Sequence, residues 1–441
     1  MNTDIATSLS VLPQGPPAMN VLLVFGMLLA FGTLGGLLAA RVRWLPTITG
    51  FMAIGLIVGP SGIGLLSRES LDGAKVLVDI ALGLILFQLG VTLHPWLALR
   101  NRALVVTSLV EGGATFAAIL ALMVWIGSPP VVAVLAAAIA VSSSPAVLMH
   151  VAHELHAEGP TVDAAEALVA MNNVLAFLLF SLALPFALRD SKVGLETALL
   201  LPAYQAFGAI AVSVAVAWVV TRIALLTRTD EHHLRFALVV GAVMLSLGLA
   251  LALKVSSLFA SLTLGIACRW LQRGSRLTRV QFGGGADVFF IILFVFAGAN
   301  LHVHEMIKYA PVALAFVLAR SVAKMGSVYG CGLAFKHPHR QSISAGMLLL
   351  PMAGLAIGLV QTTSGLLPEL GAQVSAIVLA AVALFETIGP PIAALALRLS
   401  GDAGRAATDA DDPESVPPTA SQTSSPTPSQ APSKPAAGES A

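Results

Sequence analysis

Two groups of residues in this chain could do chemistry away from water. The first is Ser142, Ser143 and Ser144, followed at once by Pro145, inside the apolar stretch AAAIAVSSSPAVLMHVA. Asn172 and Asn173 lie side by side in the next apolar stretch. The second is Arg320 and Lys324 in VALAFVLARSVAKMGSVYGCGL, four residues apart and so on one face of a helix. Hydrocarbon offers no water to bare N–H and C=O groups, so a Ser-Ser-Ser-Pro interruption is costly unless it lines protein or a wet cavity. A break with paired polar side chains beside it is a common way to build an ion site within a membrane. Here the hydroxyls and amide oxygens could coordinate a cation. The competing reading is a Pro-kinked helix whose serines bond back to their own turn, with the two asparagines joining helices.

Ionisable residues inside apolar stretches point to function by default. Arg320 and Lys324 cannot easily reach water from mid-helix and need anionic or carbonyl partners, which half-helix C-terminal ends could supply. They could equally serve only to tie crossed helices together. Glu111, in LVVTSLVEGGATFAA, is the deepest carboxylate outside the last apolar stretch. Burial disfavours the charged form of a carboxylate, so Glu111 could load and release a proton, or could pair with Arg320 or Lys324. Glu386, beside Gly389, Pro390 and Pro391, reads as structural, as do Asp79 and Asp287 near the starts of their stretches. His150, His153, Glu154, His156 and Glu158 read as a solvated loop able to sense pH rather than as a metal site. The pairs His302/His304 and His337/His339 fall in loops, and the two cysteines, Cys268 and Cys331, suggest neither a disulfide framework nor metal spacing.

The elements that must position these groups follow from composition. Of 441 residues, 57% are hydrophobic and 11% charged, with mean hydropathy +0.88. A soluble domain carries about 25% charged residues, so the chain reads as an all-α polytopic membrane protein. The net charge of +1 gives no sign of nucleic-acid binding. Thirteen stretches could span a bilayer, near 20–40, 46–66, 74–93, 103–126, 131–150, 163–188, 197–221, 235–253, 256–271, 286–301, 309–334, 342–363 and 372–398. The sixth could start later than 163, because Asp163 and Glu166 sit in its first turns. Residues 1–19 form a short leading segment without the basic region of a signal peptide, and 20–40 reads as a retained first helix.

Loop charges set the expected orientation. With the N-terminus outside, the inner loops hold Arg41, Arg43, Arg100, Arg102, Arg222, Arg228, Arg269, Arg273, Arg276, Arg279, Lys336 and Arg340. The outer loops hold only Arg68, Arg189, Lys192, Lys254 and Lys308, which predicts an outer N-terminus and a cytoplasmic C-terminus. Residues 399–441, rich in Pro, Ser, Thr and Ala, read as a disordered cytoplasmic tail. The fifth span breaks at Ser142–Pro145 and the twelfth at Pro351, with Gly354 and Gly358 nearby. The two lie seven spans apart, an odd number, so they run oppositely, as inverted repeats crossing at a shared site would. The fourth span then pairs with the eleventh and the sixth with the thirteenth.

Several stretches resemble the cation:proton antiporter superfamily, in particular its second branch, over residues 20–398. ITGFMAIGLIVGPSGIGLL looks like that family's second-helix signature, and LVDIALGLILFQLGVTLHP like the helix that follows. Arg320 and Lys324 resemble its R-x-x-G-K pattern, with Ala323 where Gly is usual, and ETIGPPIAALAL resembles its last-helix ending. The resemblance implies a homodimer in a bacterial inner membrane, with a scaffold and a core that carries the ion by an elevator-like motion. It also implies exchange of Na⁺ or K⁺ for H⁺. Asn172, Asn173 and the oxygens of Ser142, Ser143 and Ser144 would coordinate the cation, and Arg320 and Lys324 would balance charge. The family's polar pair ends in Asp, where this chain has Asn173, and the Asp of some relatives' broken helix is Ser144 here. An amide can coordinate a cation but cannot exchange protons, so Glu111 becomes the substitute carrier. The alternative on the same fold is an uncoupled uniporter, leak or sensor. No enzyme constellation, cofactor motif or metal site is expected.

Overall fold

All thirteen apolar stretches form helices, and the two expected to break do break. The computed structural model describes residues 19–42, 46–92, 100–188, 195–227, 232–271, 283–301 and 303–405. Residues 1–18 and the tail beyond 405 lie outside these, as do Arg43, Arg189, Lys192, Arg228, Arg273, Arg276, Arg279 and His302. The side chains of Asp287, His304 and Lys308 do too.

In chain order the helices are α1 (Val21–Ala40), α2 (Thr47–Val58), α3 (Arg68–Thr92), α4 (Arg102–Trp125), α5 (Pro130–Ala140), α6 (Pro145–Glu154) and α7 (Pro160–Leu188). There follow α8 (Leu195–Thr227), α9 (His232–Ala252), α10 (Ser257–Leu271), α11 (Gly283–Ala299), α12 (Val303–Ala334), α13 (His339–Leu348), α14 (Gly354–Leu366) and α15 (Pro368–Ser400). No strand occurs among the described residues. The fifth span is thus α5 plus α6 and the twelfth is α13 plus α14. Local sequence explains many boundaries. Asn20 and Asn101 cap α1 and α4 by accepting first-turn N–H groups. Pro130, Pro145 and Pro368 open α5, α6 and α15, at the position where a missing N–H costs nothing. Lys254, with φ 55°, makes the short turn between α9 and α10.

Glycines set the tightest packing. A Cβ on Gly50 of α2 would run into the carbonyl of Gly35 on α1, and one on Gly265 of α10 into the carbonyl of Phe87 on α3. Likewise Gly55 of α2 lies on the α11 backbone and Gly298 of α11 on Met52. Small residues let helix backbones meet where lipid gives no hydrophobic drive to associate. These contacts join α1, α2 and α11, and separately α3 and α10, whereas an apolar cluster of α4, α5, α7, α12, α14 and α15 surrounds the two breaks. The fourth and eleventh spans, α4 and α12, pack on each other, as the repeat predicts.

Several sequence boundaries shift. α3 starts at Arg68, so Asp79 lies well inside the helix rather than at its opening. α7 starts at Pro160, earlier than drawn, because Asp402 accepts the N–H groups of Thr161 and Val162 at 3.0 and 3.3 Å. Residues 400–405, assigned by composition to the tail, therefore belong to the folded body: Glu158 N–H donates to the Asp402 carbonyl and Gly404 N–H to that of Leu155. The His-rich stretch is not a solvated loop over its first half. His150, His153 and Glu154 lie on α6, and His150 is buried among the rings of Phe51, Phe290 and Phe294. Glu154 accepts from Thr47 N and Oγ1 at the start of α2, and His150 Nε2 lies 3.0 Å from Thr47 Oγ1. The physical reason is plain: an uncapped helix start needs an acceptor, and the Glu154 carboxylate supplies it.

Candidate functional site: the crossing of two broken helices

The chain leaves helical geometry at residues 141–144 and again at 349–353. The two interruptions touch. Ser144 N–H donates to the Pro351 carbonyl at 2.8 Å, and Ser143 Oγ donates to the Leu349 carbonyl at 2.9 Å. Ser142 Oγ bonds back to Ile139 O, and Ser144 Oγ caps α6 by accepting from Val147 N–H. Of the serines, only Ser142 bonds back to its own turn as the kinked-helix reading expected.

Each break frees carbonyls that hydrocarbon cannot satisfy, and α12 supplies donors for most of them. Arg320 donates from Nε to Ala140 O at 2.8 Å, from Nη2 to Ser142 O at 2.6 Å and from Nη1 to Leu350 O at 2.5 Å. One guanidinium thus closes the C-terminal ends of both α5 and α13. Its planar fork suits the task, and the negative ends of the two half-helices favour its charge. Phe385 of α15 lies under its plane, 4.6 Å from Cζ to ring centroid. Lys324, one turn on, donates to Val141 O at 3.0 Å and to Glu111 Oε1 at 2.5 Å. Thr115 donates to the same carboxylate oxygen at 3.0 Å. Arg320, Lys324 and Glu111 are wholly buried, so this ion pair links α4 to α12 without water between them.

The asparagines face the crossing from α7. Asn173 Oδ1 accepts from Ser143 N–H at 3.1 Å, and Asn172 Oδ1 accepts from Ser108 Oγ of α4 at 3.0 Å. Both are wholly buried, and neither Nδ2 has a partner among the described residues. Glu111 Oε2 and Ser344 Oγ are likewise unpartnered. All eight residues singled out by sequence, Ser142, Ser143, Ser144, Asn172, Asn173, Glu111, Arg320 and Lys324, converge on this one buried centre. Sequence reasoning did not find Ser108, Thr115 and Phe385. Ser108 and Thr115 carry a faint signal, standing three residues before and four after Glu111 on one helical face; Phe385 carries none. No group of three His, Cys, Asp or Glu able to hold a metal occurs among the described residues.

Two helices broken at their middles, crossing through their freed backbone and braced by buried cations, define a secondary transporter fold. The transmembrane sodium/hydrogen exchanger family model matches residues 25–397, and the chain belongs to that family, within the cation:proton antiporter superfamily. Its relatives in family and fold are transporters rather than enzymes. A structure at pH 8 of the sodium proton antiporter MjNhaP1 from Methanocaldococcus jannaschii is similar in fold, with TM-score 0.62 at 20% identity. It covers 88% of this chain and 98% of that one. An electron-microscopy structure of the same antiporter gives TM-score 0.64 at 20% identity over 87% of this chain and 96% of that one. No curated protein sequence matches this chain at a significant level.

Proposed function

We propose that this protein exchanges a monovalent cation, Na⁺ or K⁺, for protons, and that the crossing of α5/α6 with α13/α14 is its ion-handling centre. The observation that carries the reading is the convergence of all eight polar residues on one buried crossing whose freed carbonyls are held by Arg320 and Lys324. In this reading the two cations hold the half-helix ends in register and balance charge. The ion pair to Lys324 favours Glu111 as a charge-balancing brace over Glu111 as a carrier. Asn172, Asn173 and the serine oxygens form the polar wall that a passing cation meets. Both amide oxygens already accept a hydrogen bond, so each would meet the ion with its second lone pair.

Loop charge supports an outer N-terminus and a cytoplasmic C-terminus, and the family resemblance supports a bacterial inner membrane and a homodimer. The test is direct. Purified protein in proteoliposomes should raise luminal pH when Na⁺ or K⁺ is added outside. Cation uptake with no change in pH would make the protein an uncoupled carrier instead. Mass measurement of the detergent-solubilised protein checks the dimer.

A further inference from the structure

Exchange needs a group that can give up a proton and then hold a cation in its place, and an amide cannot do the first. Among the described residues three carboxylates are buried: Glu111, Glu386 and Asp402. Two are committed. Glu111 takes Lys324 and Thr115, and Asp402 takes the first N–H groups of α7. Glu386, 5% exposed in the middle of α15, makes no hydrogen bond or ion pair with any described residue.

Its position is specific. The preceding residue, Phe385, lies under the Arg320 guanidinium. One turn later, a Cβ on Gly389 would sit 3.1 Å from Pro351. α15 therefore presses on both the brace and the break, and between those contacts Glu386 lines a cavity of about 530 Å³. That cavity reaches Ala353 and Gly354, where the chain leaves the second break, and its wall also carries Thr362, Ser257 and Asn300. Asp72 and Lys75 of α3 line it too and are exposed, so they mark its mouth.

The other charged groups with described side chains on elements packed against α15 face elsewhere. Arg320 and Lys324 are turned into the crossing, and His150 and Glu154 are bonded to Thr47. His153 of α6, Asp163 and Glu166 of α7, and His339 and Arg340 of α13 do not line the cavity. Across it, α3 contributes Asp79 beside Asp72 and Lys75. At the crossing two cations face one carboxylate, leaving a surplus positive charge that an ionised Glu386 would offset. A buried carboxylate with neither counter-ion nor donor is strongly unfavourable as an ion. Glu386 therefore needs a proton, a cation or water from the cavity.

We propose that Glu386 is the exchanging carboxylate, binding a proton and a monovalent cation by turns within this cavity. The O–H bond breaks as the cation enters, and the proton leaves to cavity water. This departs from the structural reading of Glu386 and rests on the antiporter reading above. The test compares wild type, Glu386→Gln and Glu386→Asp in proteoliposomes under an imposed Na⁺ or K⁺ gradient. In parallel, purified wild type is treated with a hydrophobic carbodiimide, and the adduct at Glu386 is read by mass spectrometry with and without each cation at constant pH.

Glu386→Gln should lose exchange while keeping its melting temperature, and Glu386→Asp should keep exchange with a shifted pH profile. Carbodiimide labelling of Glu386 should fall when Na⁺ or K⁺ is present. Undiminished exchange by Glu386→Gln would overturn the proposal, and so would labelling indifferent to both cations. If wild type itself moves no protons, the antiporter reading fails on its own. The labelling arm, which needs no turnover and no variant, then decides whether Glu386 binds a cation.

Discussion

The two faces of the crossing are held in opposite ways. On the α12 face Arg320 closes three carbonyls, and Lys324 bridges a fourth to Glu111, so every cation there is spoken for. On the α7 and α15 face the two Asn Nδ2 groups have no partner among the described residues, and Glu386 looks into a cavity. Glu111 Oε2 is a loose end on the first face. The difference separates two duties. A broken helix inside a membrane must first have its backbone satisfied, and rigid charged donors do that. Only then can a second face keep polar groups free to change partners without the breaks unravelling.

Arg320→Ala should break this contrast most severely. It strips donors from the Ala140, Ser142 and Leu350 carbonyls at once, and we expect a loss of about 3–5 kcal/mol in detergent thermal unfolding, with no transport. Arg320→Lys should recover little of it, since one ammonium cannot reproduce the planar three-carbonyl reach. Next in size is the ion pair. Lys324→Met alone leaves Glu111 buried without its cation and should cost about 3 kcal/mol. Combining it with Glu111→Gln should cost less than the two single changes summed, the sign of direct coupling. Strict additivity would mean that the pair does not hold α4 to α12.

On the looser face, Asn173→Asp keeps the acceptor for Ser143 N–H and removes an unpaired donor. Stability should change by about 1 kcal/mol or less, yet the variant gains a group able to take a proton. Placed in the Glu386→Gln background, it should restore some exchange. Failure to restore any would show that a carboxylate at that position cannot stand in for Glu386. The smallest effect on exchange is expected at Asp402→Ala, which removes the cap of α7 and should cost about 1 kcal/mol in unfolding with exchange retained.

The long elements were legible because a membrane helix must be apolar for its whole length, and the breaks because Ser-Ser-Ser-Pro and Pro351 have no other cheap explanation in hydrocarbon. The basic pair and Glu111 were legible because charge there is rare. Partnership was legible in kind, since freed half-helix carbonyls and Glu111 were both expected to meet the basic pair, but not in detail. Nothing in the chain order says that Arg320 would choose Ala140, Ser142 and Leu350, or that Lys324 would take Glu111 and leave Glu386 alone. Composition misled where local polarity served a distant helix end. Glu154 read as solvated but caps α2, with His150 on the Thr47 hydroxyl beside it, and Asp402 read as tail but caps α7, 241 residues from Thr161.

That last contact has a practical side. The chain beyond residue 405 departs from the first turn of the very helix whose middle bears Asn172 and Asn173. A truncation meant to remove the tail must therefore stop short of residue 405, or it takes the cap from that helix.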